Sequence, residues 1–290
     1  TNEVILAALL GGIVWNLITW QFGIPSSSSH ALIGGLCGAC LAAANNDFSV
    51  IIWSEPSSEH WYLGRGILWK VLVPMILSPL VGFVLGLIVM SLLYLCLYNV
   101  RPRIINSTFG KLQVFSAAAM GFMHGTNDAQ KTMGIITLAL IAGTTTGAFD
   151  SLPHFLHFLI TPEPPPGHSA DIATWIKVLC AVTMAAGTAM GGWKIIKTLG
   201  HKMVKLQQIH GFAAEASSAS VILTATHFGI PVSTTHNISS SIMGVGAAKN
   251  FGSIKWMVVE QMLWAWILTL PAAGLFAYLF LEMFHLPLFS

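Results

Sequence analysis

Long apolar runs alternate with short polar stretches along the whole chain, and the runs are long enough for helices that cross a lipid bilayer. The pattern predicts helices over 4–20 and 27–44, a long one over 67–98, and an interrupted one over 112–142. Further helices are expected over 172–191, 208–228, 234–248 and 255–284. Gly34, Gly38 and Ala42 recur at the four-residue spacing that lets helices approach closely. Pro74 and Pro79 are expected to kink the long helix. Between the runs, 45–66 is polar, with Asp47, Glu55 and Glu59 against Arg65. Residues 143–171 hold Asp150, Glu163 and Asp171 and no Lys or Arg, and Pro162-Glu163-Pro164-Pro165-Pro166 within them reads as extended polyproline.

Two polar stretches repeat. Phe22-Gly-Ile-Pro-Ser-Ser-Ser-Ser-His30 aligns without a gap on Phe228-Gly-Ile-Pro-Val-Ser-Thr-Thr-His236, each between apolar segments. Such a duplication decides architecture before any local feature does. Basic stretches face the cytoplasm, which puts 98–111 and 192–206 inside and 45–66 and 143–171 outside. Each pair of short helices around a repeat must then enter and leave on one side. The first is expected to be a re-entrant hairpin from outside, the second a re-entrant hairpin from inside. The expectation is a multi-pass, all-α membrane protein of two inverted repeats, 1–111 and 112–290. By the same symmetry the first repeat is N-terminally truncated, its counterpart of segment 112–142 lying roughly 80 residues before Thr1.

Composition agrees. Hydrophobic residues make up 54% of the 290 and charged residues only 8%, against about 25% charged in soluble domains. A formal net charge of +2 is too small to imply nucleic acid as a partner. Cys37 and Cys40 form a CxxC on a Gly/Ala-rich helix with no second pair, which suits packing rather than metal or redox chemistry. The chain opens at Thr1 with no signal peptide, so the natural N-terminus is expected upstream.

The chemistry concentrates in His124-Gly-Thr-Asn-Asp-Ala-Gln-Lys131, inside an apolar run. Asp128 and Lys131 each cost roughly 2.5–3.5 kcal/mol at bilayer depth. Gly125 and its polar neighbours predict a break in the helix, facing protein or a water-filled cavity. The plain alternative is an Asp128–Lys131 pair one turn apart that neutralises itself. The Ser/Thr clusters after Pro25 and Pro231 suit helix starts, whose N–H and O–H groups form an anion site of neutral donors. Asp128 could accept from a phosphate that still carries hydrogen, or hold Na⁺ with Asn127 and backbone carbonyls. Glu215 is a second intramembrane carboxylate and a candidate cation ligand, with a hydrogen-bonded packing role as the alternative. His30 and His236 are expected to support the hairpin turns.

Together, Gly125-Thr-Asn-Asp-Ala-Gln-Lys131, Pro-Ser-Ser-Ser-Ser-His30 and Pro-Val-Ser-Thr-Thr-His236 resemble the inorganic phosphate transporter (PiT) family over essentially the whole chain. The resemblance implies symport of phosphate with Na⁺ or H⁺ and no cofactor, in the cell membrane. It implies that Ser27, Ser28, Ser29, Asn127, Asp128, Ser233, Thr234 and Thr235 line the substrate and cation sites, with Glu215 near a cation. A homodimer is one assembly it allows. Lys131 stands where the fuller signature has Asn, and the first-half Asn-Asp motif is not in the sequence. Sulfate transport is the near alternative, an intramembrane hydrolase using Ser/Thr with His30 or His236 a distant one, and a structural scaffold the third.

Overall fold

The computed structural model describes residues 1–57, 64–165, 168 and 170–286, and among these described residues nine α-helices carry the chain. Glu59 and Pro166 of the two polar stretches lie outside the described residues. The helices are α1 (Asn2–Phe22), α2 (Ser28–Ala43), α3 (Val73–Cys96), α4 (Pro102–Thr145), α5 (Thr174–Gly191), α6 (Trp193–Lys197), α7 (Gln208–His227), α8 (Thr234–Lys249) and α9 (Trp256–Phe284). Among the described residues the only β pairing is an isolated bridge between Glu55 and Arg65. Asn2–Phe22, Leu68–Cys96, Thr174–Gly191 and Trp256–Phe284 are long and apolar enough to cross a membrane. Their outward faces expose large apolar side chains such as Ile13, Leu80, Val182 and Leu268, as lipid contact requires and water does not favour.

The duplicated stretches fold alike. α1 and α7 both end in a glycine with positive φ, Gly23 at 67° and Gly229 at 63°. At the first end Gly23 N–H donates to Trp20 O and Ile24 N–H to Thr19 O; at the second, Gly229 N–H donates to Thr226 O and Ile230 N–H to Ala225 O. This is the helix-closing arrangement that glycine permits without a Cβ penalty. Pro25 and Pro231 follow, where the chain cannot resume a helix at once. Ser27 then caps α2 and Ser233 caps α8, each accepting the backbone N–H three residues on, from His30 and His236, at 3.3 Å.

The long helices cross over between the two helix pairs. α2, with α1, packs on α9, and α8, with α7, packs on α3. Bare backbone makes both contacts. A Cβ on Gly34 or Gly38 of α2 would strike the Leu270 or Gly274 carbonyl of α9, and one on Gly244 of α8 would strike the Phe83 carbonyl of α3. The small-residue spacing predicted for α2 therefore serves close packing, and Ala42 is buried beside Ala277.

Three expectations change. α4 runs unbroken for 44 residues, about 66 Å at 1.5 Å per residue, so there is no break at Gly125. A glycine inside a helix costs about 1 kcal/mol against alanine, and the polar side chains around it find partners without the backbone opening. The basic loop 98–111 is largely the first turns of α4, with Pro102 at its start. The basic stretch 192–206 holds α6 and a wide π-turn over Thr198–Met203. Pro79 lies inside α3, and Pro74 in its first turn, where the sequence places them.

Candidate functional site

The starts of α2 and α8 meet. Their equivalent histidines, His30 and His236, touch edge to face with ring centroids 4.9 Å apart, and both are buried. Trp266 of α9 braces the junction, stacking on His236 at 4.0 Å and donating its indole N–H to the Pro25 carbonyl at 3.1 Å. Support of the turns is the role expected of the two histidines. Trp266 carries no sequence signal, since it stands in an ordinary apolar run.

α4 passes this junction and presents one face of four side chains, His124, Asn127, Asp128 and Lys131. Spacings of three and four residues put them on neighbouring turns. Thr234 donates to Asp128 Oδ2 at 2.9 Å and Ser29 to Oδ1 at 3.4 Å. Lys131 Nζ is 3.3 Å from the same Oδ1 and donates to Ser29 Oγ at 2.8 Å and to the Val232 carbonyl at 3.4 Å. His124 Nδ1 lies 3.1 Å from Asp128 Oδ2 and 2.8 Å from Thr234 Oγ1. Asn127 Nδ2 reaches the Val232 carbonyl at 3.5 Å. One carboxylate thus links both repeats to α4, and the Asp128–Lys131 ion pair is formed.

Counting lone pairs constrains the chemistry. A carboxylate offers about four acceptor positions. Lys131 and Ser29 use those of Oδ1, Thr234 uses one of Oδ2, and the single Nδ1–H of His124 is shared between the other and Thr234 Oγ1. Direct donation by a protonated phosphate to Asp128 therefore has no open position in this conformation. Because Thr234 spends its proton on Asp128, the His124 network assigns the ring proton to Nδ1.

Open donors remain beside this knot. The backbone N–H groups of Ser28, Ser29, Thr234 and Thr235 have no partner among the described residues, as expected in a first helical turn. The hydroxyl of Ser28 is exposed on a cavity of about 400 Å³ that Asp128 and Thr132 also line. Thr235 is half-buried and makes no hydrogen bond to Asp128. Ser27 and Ser233 are buried and occupied in capping.

Glu215 is not brought to this place. On α7 it accepts a 2.5 Å hydrogen bond from Ser116, twelve residues before Asp128 on the unbroken α4, hence about 18 Å along its axis. Among the described residues no three His, Cys, Asp or Glu side chains group as a metal site, and Cys37 and Cys40 are free thiols. His124 is the residue that sequence reasoning passed over, although its i,i+4 spacing to Asp128 was there to read. The hydrolase alternative loses its geometry here. A hydroxyl, imidazole and carboxylate relay needs both ring nitrogens hydrogen-bonded, whereas His30 Nδ1 and both ring nitrogens of His236 are buried without a hydrogen-bond partner among the described residues.

Comparison with known proteins identifies relatives of the whole fold. The phosphate transporter family matches residues 2–277. A probable low-affinity inorganic phosphate transporter of Bacillus subtilis is 42% identical over 285 residues, covering 97% of this chain and 75% of that protein. One of the same description from Mycobacterium leprae is also 42% identical, covering 94% of this chain and 58% of the relative. A solved structure described as the sodium-dependent phosphate transporter superposes with a TM-score of 0.70 at 19% identity, over 98% of this chain and 80% of that one; it shares the fold. With the family matched from α1 into α9 and the duplicated helix starts joined at Asp128, the chain belongs to the phosphate transporter family.

Proposed function

We propose that this chain carries inorganic phosphate across the cell membrane by symport with a cation, Na⁺ or H⁺. The observation that supports it most is the meeting of two helix N-termini at one carboxylate, with four backbone N–H groups and the Ser28 and Thr235 hydroxyls uncommitted beside it. Neutral donors at the positive ends of two helix dipoles suit a tetrahedral oxyanion. Asp128, Asn127, Ser29 and Thr234 then hold the two starts in register, and Ser27 and Ser233 keep them helical. The relatives described as phosphate transporters favour phosphate over sulfate.

Residues 1–111 and 112–290 act as inverted halves in this reading. α1–α2 and α7–α8 serve as re-entrant hairpins, and exchange of α3 and α9 between them couples their movements. Rocking of one half against the other would expose the shared junction to each side in turn. Uptake of labelled phosphate by the full-length protein in proteoliposomes, with Na⁺ and pH gradients varied separately and sulfate as competitor, tests the proposal. Accumulation above the equilibrium level, driven by one gradient and competed by cold phosphate, is expected. Uptake that ignores both gradients, or that sulfate competes as well as phosphate does, would overturn it.

A further inference from the structure

The ammonium of Lys131 has three N–H donors and meets three oxygens from three separate elements. They are the carboxylate of Asp128 on α4 at 3.3 Å, the hydroxyl of Ser29 on α2 at 2.8 Å, and the carbonyl of Val232 before α8 at 3.4 Å. A carboxylate, a hydroxyl and an unwound-chain carbonyl are the hard oxygen donors that an alkali cation uses. This position is the one where Na⁺ at Asp128 is expected from the sequence, and the residues present do not fit it. Two positive charges cannot share one small oxygen shell, and the remaining acceptor positions of Asp128 are spent on Thr234 and His124.

We infer that Lys131 is a tethered cation, its ammonium standing where a free monovalent ion would otherwise join α4 to the two repeats, so that transport requires no Na⁺ at Asp128. This rests on the phosphate-transport reading and adds the source of the positive charge at its site. A free ion leaves with every cycle, whereas an ammonium on α4 stays. The charge that balances Asp128 and draws an anion toward the two helix starts is then permanent. Lys131 is thus the residue that sets cation specificity, and a neutral side chain there should open the shell to a free cation.

The test uses full-length protein in proteoliposomes at a fixed pH gradient, with Na⁺ replaced by choline. Wild-type phosphate uptake is expected to stay within about two-fold. Lys131→Ala should lose about ten-fold or more in choline, the scale of one charged contact, and regain several-fold when Na⁺ or ethylammonium is added. Na⁺ should also raise the melting temperature of Lys131→Ala and leave wild type unmoved. A wild-type protein whose uptake collapses in choline overturns the inference, as does a folded Lys131→Ala that ignores both added cations. Should the alanine variant fail to fold, Lys131→Met keeps the stem, and the wild-type arm decides without any variant. Absence of wild-type phosphate uptake under every cation would instead sink the transport reading itself.

Discussion

The two copies of the Pro-Ser/Thr-His stretch have the same backbone, and they meet the same carboxylate with different residues. In the alignment Ser28 pairs with Thr234 and Ser29 with Thr235. Yet Asp128 receives Ser29 from one copy and Thr234 from the other. The single carboxylate on α4 thus meets non-equivalent hydroxyls of the two helix starts. In the proposed function the consequence is a division of labour: one hydroxyl of each copy ties the junction together, and the other is left for the ligand. The copies differ at their tips too. Gly23 is held by Thr198, whose hydroxyl donates to its carbonyl at 2.7 Å, and beside it Lys194 lies 4.0 Å over the Trp20 ring. Around Gly229 the space is open.

The largest effect is expected at the group both copies share. Asp128→Asn keeps the shape but leaves Lys131 partly buried and unpaired, a loss of the order of 3–5 kcal/mol for a broken buried pair. Phosphate uptake should fall below about one-hundredth, with a lowered melting temperature in detergent. Wild-type uptake by this variant would remove Asp128 from the site.

Next come the hydroxyls, where the division of labour can be broken. Thr234→Ala deletes a donor to a charged acceptor, worth about 1.5–3 kcal/mol, and should lower thermal stability as well as uptake. Ser28→Ala and Thr235→Ala should weaken phosphate binding about ten-fold each with little change in melting temperature, and their losses should be non-additive because both face one ligand. Calorimetry with phosphate on the three alanine variants and on the Ser28→Ala/Thr235→Ala double variant reads this directly. If Ser28→Ala and Thr234→Ala behave alike, the two copies are equivalent and the asymmetry at Asp128 has no functional weight.

Thr198→Ala sharpens the comparison of the tips. Loss of one buried hydrogen bond, about 1 kcal/mol, should speed hydrogen exchange of Gly23 and Ile24 about five-fold and leave Gly229 and Ile230 unchanged. Matched exchange at both tips before and after the substitution would show that the Thr198 contact holds nothing. The smallest effect belongs to Glu215→Gln. Some 18 Å from Asp128 along α4, and already bonded to Ser116, it should alter uptake by no more than about three-fold. A change of coupling ion in this variant would return Glu215 to the cation site.

The membrane class, the small-residue face of α2 and the duplicated helix starts were all legible in the residues. Each follows from local physics: long apolar runs, glycine at a fixed spacing, and proline followed by a capping serine. The predicted break at Gly125 was not local in the same way. Whether a polar run opens a helix depends on what its side chains touch, and here Thr234, Ser29 and the Val232 carbonyl satisfy them from two other elements.

Asp128 and Lys131 could be read as a pair from their three-residue spacing, and His124 could have been added at four. Which hydroxyls they meet, and that Glu215 is far away, could not be. Those depend on how α4 crosses two helix starts about a hundred residues distant on either side. The sequence by itself determined most of the apolar helices, the ends marked by Gly23, Ser27, Gly229 and Ser233, and the stock of donors and charges, because these are set within a few residues of each position. Only the tertiary structure decided that α3 and α9 change partners and that one carboxylate serves both repeats. It decided too that an ammonium fills the oxygen shell beside that carboxylate, since long-range contacts are settled by packing among whole helices.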